Sequence, residues 1–307
     1  MKQYDSVVIG GGPAGITAAL YLLRSGAKTA LVEKLSPGGQ VLMTEEVENY
    51  PGFPTGVKGY ELADIFAAHL DAYPLDRFGD EVKIIEHVPY KNRILVGEEW
   101  IEAKTVIVCS GASYRKLGLP REKELTGRGV SYCALCDGNF YRGQEVAVIG
   151  GGNSALEEAL YLTKLVSKVY LVHRRCEFRG DRIYQEKVLL NDKIEVMYDT
   201  VVAAFVGESD VTGLLLENCK TGEQSTLTVN GVFIFVGMEP SASYLPKGVA
   251  RDAGGFIITD TEMHTNLPGI FAAGDIRSKM CRQVATAVGD GATAAHASFL
   301  FMEHAHE

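Results

Sequence analysis

This chain has no apolar run near the roughly 18 residues that a membrane-spanning helix requires, which argues against a bilayer protein. Its first strand-like run starts within a few residues of Met1, leaving no room for a signal peptide, so a cytoplasmic location is expected. A basic excess is missing as well. Lys and Arg number 30 against 39 Asp and Glu, a net charge of -9, and a general nucleic-acid binder needs a cationic footprint to displace counterions from phosphates. Cysteine is sparse, with six in 307 residues, too few for a disulfide scaffold. Cys109, Cys176, Cys219 and Cys281 are scattered singly, and Cys109 sits in an apolar run as a small buried hydrophobe. There is no second CxxC and no nearby Cys/His pair, so no metal site is expected. With 46% hydrophobic and 22% charged residues the chain has the makings of globular cores rather than disorder, and its length suits two domains.

What is present is a glycine fingerprint that occurs twice, at Gly10-Gly11-Gly12-Pro13-Ala14-Gly15 and at Gly150-Gly151-Gly152-Asn153-Ser154-Ala155. Each copy follows a β-branched run and opens an Ala/Leu-rich helix. In that context the glycines permit a tight strand-to-helix turn and close backbone approach, so a pyrophosphate can rest on exposed helix N–H groups. Between the copies lies Cys133-Ala134-Leu135-Cys136-Asp137, the one paired cysteine motif. Two nucleotide sites and one dithiol suggest an electron relay.

The copies differ at the end of their second strand, 23 residues after the first glycine in each case: Glu33 in the first, His173 in the second. A carboxylate there accepts hydrogen bonds from a ribose 2'-OH and repels a 2'-phosphate, which suits FAD or NAD. His173-Arg174-Arg175, followed by Arg179, places several cations where a 2'-phosphate would lie, so the second site reads as NADPH.

Along the chain, the first unit reads as strand Tyr4 to Ile9, helix Pro13 to Ser25, strand Lys28 to Glu33, a helix near Tyr60 to Tyr73 and an apolar strand Thr105 to Cys109. The second repeats the plan with strand Glu145 to Ile149, helix Asn153 to Leu165 and strand Lys168 to His173. Its later part, 194 to 237, alternates β-branched residues with turn signals at Gly222 and Asn230-Gly231, which predicts strands and hairpins. A short strand through Gly269 to Asp275 and a long Ala-rich helix from about Arg282 to His304 close the chain. An aspartate at such a strand end can contact a ribityl or phosphate hydroxyl, or simply cap a turn.

In order and over essentially the whole length, these landmarks resemble the low-molecular-weight, NADPH-dependent thioredoxin reductases of the pyridine nucleotide-disulfide oxidoreductase class. Further landmarks of that resemblance are Pro37-Gly38-Gly39-Gln40, Glu48-Asn49-Tyr50-Pro51-Gly52-Phe53, and Gly274-Asp275 with Arg282-Gln283-Val284-Ala285-Thr286-Ala287. The resemblance implies an α/β fold of two Rossmann-like, three-layer ββα domains. An FAD domain, 1–116 plus 241–307, would be interrupted by an NADPH domain, 117–240, that carries the redox-active disulfide. It implies FAD contacts from Gly10, Gly12, Gly15, Glu33, Gly39, Gln40, Asn49, Asp275, Arg282, Gln283 and Ala285. It implies NADPH contacts from Gly150, Gly152, Asn153, Ser154, Glu157, His173, Arg174, Arg175 and Arg179. In the implied relay NADPH reduces FAD, and the Cys133–Cys136 disulfide takes the electrons and passes them to thioredoxin or a thioredoxin-like partner. Cys136 would face the flavin and Cys133 the partner, with Asp137 handling thiol protons. An aspartate beside a CxxC can also cap a helix, and the two roles are compatible. A homodimer is implied as well.

Two other readings stay open at this point. A related flavin reductase could use another donor or acceptor, and a non-catalytic flavin redox sensor would need only FAD and one dithiol. The intact cationic cluster speaks against the sensor. Leu135 within the CxxC and Met280-Cys281 before Arg282 depart from the family pattern, and 74–100 carries no role.

Overall fold

The computed structural model describes residues 1–44, 46–47 and 49–304. Glu48, one of the landmark residues, and the terminal 305–307 lie outside that set. The chain divides into two compact units, Met1–Ser113 with Glu239–Glu307, and Tyr114–Met238.

In the first unit the strands Asp76–Phe78, Thr29–Val32, Lys2–Ile9 and Glu99–Val108 lie side by side and parallel. Glu99–Val108 serves two layers. Its first half pairs antiparallel with Asn92–Val96, which pairs in turn with Val82–Glu86, while its last residues pair parallel with Ile270–Ala272. The apolar ends of Thr29–Val32, Lys2–Ile9 and Glu99–Val108 are buried on both faces, as a parallel sheet covered on two sides requires. One face packs against the helices Pro13–Arg24 and Val284–His304 through Leu22, Ile107 and Phe271. The other buries Val7, Ile94 and Ile101 beneath the antiparallel strands. Close helix packing depends on Gly291, where a Cβ would lie 2.2 Å from the Ala14 carbonyl oxygen.

The second unit has five parallel strands in the order Val130–Ser131, Gly231–Phe235, Glu145–Gly150, Lys168–Val172, Ile194–Met197. Beside them Thr200–Val206, Gly213–Asn218 and Gln224–Thr228 form a separate antiparallel sheet. Gly222, at φ 71°, sits in the connection between the last two of these, as the turn signal predicted. Asn230-Gly231 does not make a hairpin. The run after it, Gly231 to Phe235, is apolar throughout, so it is drawn into the buried parallel sheet beside Glu145–Gly150. Gly231 also leaves room for the Tyr141 ring, which a Cβ would meet at 2.5 Å.

Boundaries shift modestly elsewhere. The helix expected over 60–73 spans Gly59–Ala68 and tightens into a 3-10 turn over His69–Ala72. The helix expected to reach Leu165 ends at Leu162. The strand expected over 269–275 is three residues long, Ile270–Ala272, followed by a 3-10 turn at Gly274–Ile276. Among the described residues no helix is long and apolar enough to cross a membrane.

Candidate redox site and nucleotide clefts

In each unit parallel pairing brings the strand ends that carry the motifs to one edge of the sheet, and open α/β sheets bind their ligands at that edge. In the first unit this gathers Gly10 (after Lys2–Ile9), Glu33 (after Thr29–Val32) and Asp275 (after Ile270–Ala272). The turn is tight. Gly10 has φ +105°, and a Cβ on Gly15 would lie 1.8 Å from the Gly10 carbonyl oxygen. Glu33 accepts from the Gly11 N–H at 2.7 Å and the Leu35 N–H at 2.9 Å, so its carboxylate is already aimed before any ribose arrives. A carboxylate has about four acceptor positions and can take further donors. Gly39 stands against Gly12, where a Cβ would come within 3.1 Å of the Gly12 Cα, and Gly38 N–H donates to Gly11 O at 2.7 Å.

Other residues predicted for this cleft already hold protein partners. Asn49 Nδ2 donates to Gln283 Oε1 at 3.3 Å, and Gln40 Nε2 donates to Ala112 O. Ala285 is exposed in the first turn of Val284–His304. Arg282 donates to the carbonyls of Asp275, Arg277 and Lys279 and lies 4.1 Å over the Phe256 ring, so it braces the loop after Asp275. Asp275 Oδ1 is buried and, among the described residues, has no hydrogen-bond partner; Lys279 Nζ stands 3.9 Å away. Burial pushes the Asp275 carboxyl up, against the pull of Lys279 and Arg282. An orphaned buried carboxylate oxygen beside a glycine cradle with no room for a Cβ fits a ligand that presents a hydroxyl and a pyrophosphate. The supporting ion group was not legible in the sequence: Asp290 holds Arg277 Nη1 and Lys279 Nζ, both at 2.9 Å, and accepts from Gly274 N–H at 3.1 Å.

In the second unit the fingerprint sits where the strand order reverses, between Glu145–Gly150 and Gly231–Phe235. A Cβ on Gly150 would meet the Phe235 carbonyl oxygen at 2.5 Å, while Gly152 has open space. Arg179 N–H donates to Gly151 O at 2.7 Å and clips the basic loop onto the fingerprint, with Arg174, Arg175 and Arg179 exposed. Asn153 and Ser154 are exposed at the helix start. The Asn153 side chain exchanges two bonds with Asp181: Nδ2 to Oδ2 at 2.9 Å, and Asp181 N–H to Oδ1 at 2.6 Å. The Glu157 carboxylate raises the pKa of the neighbouring Tyr184.

His173 departs from expectation. Its ring is 5% exposed and lies against Gly151, where a Cβ would come within 2.3 Å, and Nε2 bonds the Glu177 carbonyl at 3.0 Å. Burial lowers its pKa, with Arg175 and Arg179 adding to the effect. It therefore packs as a neutral ring in the place that Glu33 takes over Gly11. The cationic cluster consists of the three arginines without it.

The second unit also carries the redox motif, at the carboxyl end of Val130–Ser131, the same sheet edge as the fingerprint. Cys133 and Cys136 form a disulfide with Cα atoms 5.3 Å apart, and both are half-buried. Cys133 is the N-cap of the single helical turn Ala134–Asp137, and its Sγ accepts from the Cys136 N–H at 3.2 Å. The Asp137 carboxylate is not a cap. Its Oδ2 accepts from the Ser131 hydroxyl at 2.6 Å. Just upstream, buried Glu122 accepts from the N–H groups of Leu117, Gly118 and Leu119 and from the Tyr132 hydroxyl at 2.8 Å, a bond that burial and this carboxylate make hard for the tyrosine to ionise.

Comparison with known proteins agrees with this layout. Residues 4–291 match the family described as pyridine nucleotide-disulphide oxidoreductase. Over 309 aligned residues the chain is 42% identical to a thioredoxin reductase of Listeria monocytogenes, covering 100% of this chain and 96% of that protein. Its identity to one from Bacillus subtilis is 43%, covering 100% and 97%. The crystal structure of thioredoxin reductase from Streptococcus pyogenes superposes with a TM-score of 0.92 at 44% identity, covering 98% of this chain and 99% of that one.

Proposed function

The chain belongs to the pyridine nucleotide-disulphide oxidoreductase family, and from that premise we propose how its residues divide the work of an NADPH-dependent thioredoxin reductase. The enzyme uses FAD and NADPH; bound FAD would supply the hydride-accepting and electron-donating chemistry that links NADPH to the disulfide. The observation that carries the reading is the placement of Cys133–Cys136 at the same sheet edge as a fingerprint onto which Arg179 N–H clips the loop of three exposed arginines.

We assign FAD to the unit Met1–Ser113 with Glu239–Glu307, held by the Gly10–Gly15 turn, Glu33, Gly39 and Asp275. NADPH falls to Tyr114–Met238, its pyrophosphate on the Gly150–Asn153 turn and its 2'-phosphate on Arg174, Arg175 and Arg179. Cys136 receives the electrons and Cys133 attacks the partner's disulfide. A Cys133 thiolate keeps the Cys136 N–H as donor, which favours the charged nucleophile. Asp137 moves protons on and off the sulfurs. Thioredoxin is the partner of this reading, and a cytoplasmic homodimer belongs to it on resemblance alone.

Anaerobic stopped-flow of the flavin-loaded protein tests the assignment. NADPH should bleach the flavin faster than NADH, and oxidised thioredoxin should restore its colour. Cys133→Ser and Cys136→Ser should each bleach normally and fail to pass electrons on. Near-normal thioredoxin reduction by either variant would remove the relay.

A further inference from the structure

Ser131 is buried at 3% exposure, at the end of the edge strand that delivers the chain to Cys133. Its hydroxyl oxygen accepts from the Cys133 N–H at 3.1 Å and donates to Asp137 Oδ2 at 2.6 Å. The Cys133 carbonyl, 3.3 Å away, competes for the same single proton at longer range. Asp137 N–H returns to the Cys133 carbonyl at 3.1 Å. One hydroxyl thus fixes the carboxylate to the backbone of the first sulfur, through a bond whose length is that of a charge-assisted O–H to carboxylate contact.

We propose that Ser131 is a positioning residue for thiol–disulfide exchange, holding Asp137 in register with Cys133 and donating to its ionised form. The proposal rests on the reading of Asp137 as the proton carrier. In the exchange the Cys133 thiolate forms a bond to one partner sulfur and the partner S–S bond breaks. The departing thiolate takes from Asp137 the proton that Asp137 received from the Cys133 thiol. Asp137, ionised again, takes the Cys136 thiol proton, and the Cys136 thiolate attacks Cys133 Sγ, reforming the internal disulfide and releasing the second partner sulfur, which takes that proton from Asp137. The reductase dithiol is oxidised by two electrons, the partner disulfide is reduced by two, and the reductase's thiol protons pass to the partner. A carboxylate that loses this donor holds its proton more tightly, so proton delivery moves in pH and slows.

The test uses the flavin-loaded, NADPH-reduced enzyme and follows reoxidation by thioredoxin disulfide across pH for Ser131→Ala, Ser131→Thr and Asp137→Asn, with flavin reduction by NADPH as internal control. Ser131→Ala should slow reoxidation about tenfold and move the pH midpoint of that step upward by about one unit, leaving flavin reduction unchanged. Ser131→Thr, which retains the hydroxyl, should restore the parent midpoint. Adding Ser131→Ala to Asp137→Asn should slow the step no further. A parent-like pH profile for Ser131→Ala overturns the proposal while leaving Asp137 in place, as does equal slowing of flavin reduction. A parent-like profile for Asp137→Asn removes the proton-carrier reading itself, and the proposal with it.

Discussion

Glu158 lies on the helix Asn153–Leu162 next to exposed Glu157, with its Oε2 buried and, among the described residues, without a hydrogen-bond partner. Burial first, and the Glu157 charge second, push its carboxyl from 4.5 up to about 7. A carboxyl with a raised native pKa binds its proton more tightly folded than unfolded. Its contribution to stability is therefore fully present below pH 4.5 and is lost as pH rises through about 7. At about 1.4 kcal/mol per unit, the loss between pH 5 and pH 8.5 comes to roughly 2–3 kcal/mol. Glu158→Gln removes the titration while keeping the shape. The melting temperature of the flavin-loaded variant should match the parent near pH 5 and exceed it by about 3–5 °C at pH 8.5. Calorimetry of both proteins across that range, without NADPH, reads the difference. A constant offset at every pH would refute the reasoning, because it would mean that Glu158 stays ionised in the fold.

The remaining predictions concern the two clefts. Replacing Arg174 and Arg175 with Gln should raise the Kd for NADPH roughly ten- to a hundredfold and leave NADH nearly unchanged, measured by quenching of intrinsic fluorescence; equal losses for both nucleotides would assign the arginines to the fold. Gly15→Ala places a Cβ 1.8 Å from the Gly10 carbonyl oxygen, backbone that cannot move aside without breaking the strand-to-helix turn. It should cost about 3 kcal/mol or more, and the purified variant should lose its yellow flavin on dialysis, while full flavin retention would show that the turn tolerates the methyl. Asp275→Ala removes a buried carboxylate oxygen that has no hydrogen-bond partner among the described residues, so FAD affinity should fall more than tenfold with little change in melting temperature. A stability loss without an affinity loss would make Asp275 a scaffold residue.

The readable parts of the site are those set by short-range rules. A glycine with positive φ, as at Gly10, or one whose Cβ would strike backbone, as at Gly15 and Gly150, announces itself because no other residue fits. The pairing of Cys133 with Cys136 needs only one helical turn. Both nucleotide helices begin at the predicted residues, Pro13 and Asn153, directly after their glycines. What was missed depends on neighbours distant in sequence. Lys279 and Arg277 look like surface cations until the last helix brings Asp290 within 2.9 Å of both. Serine at a strand end carries no signal of its own, and Ser131 gains its partner only when Asp137 folds back six residues later.

By itself, then, the sequence determined the two glycine turns, the single dithiol and the opposite charges of Glu33 and of Arg174, Arg175 and Arg179, because backbone sterics and formal charge need no distant partner. Tertiary structure decided which polar groups are ionised and which strand joins which sheet. His173 belongs to a run of basic residues, yet burial against Gly151 keeps its ring neutral. Asn230-Gly231 is a hairpin signal, yet the apolar strand after it gains more by burial on both faces beside Glu145–Gly150 than by pairing with its predecessor. Desolvation and long-range packing govern both outcomes, and neither has a local signature.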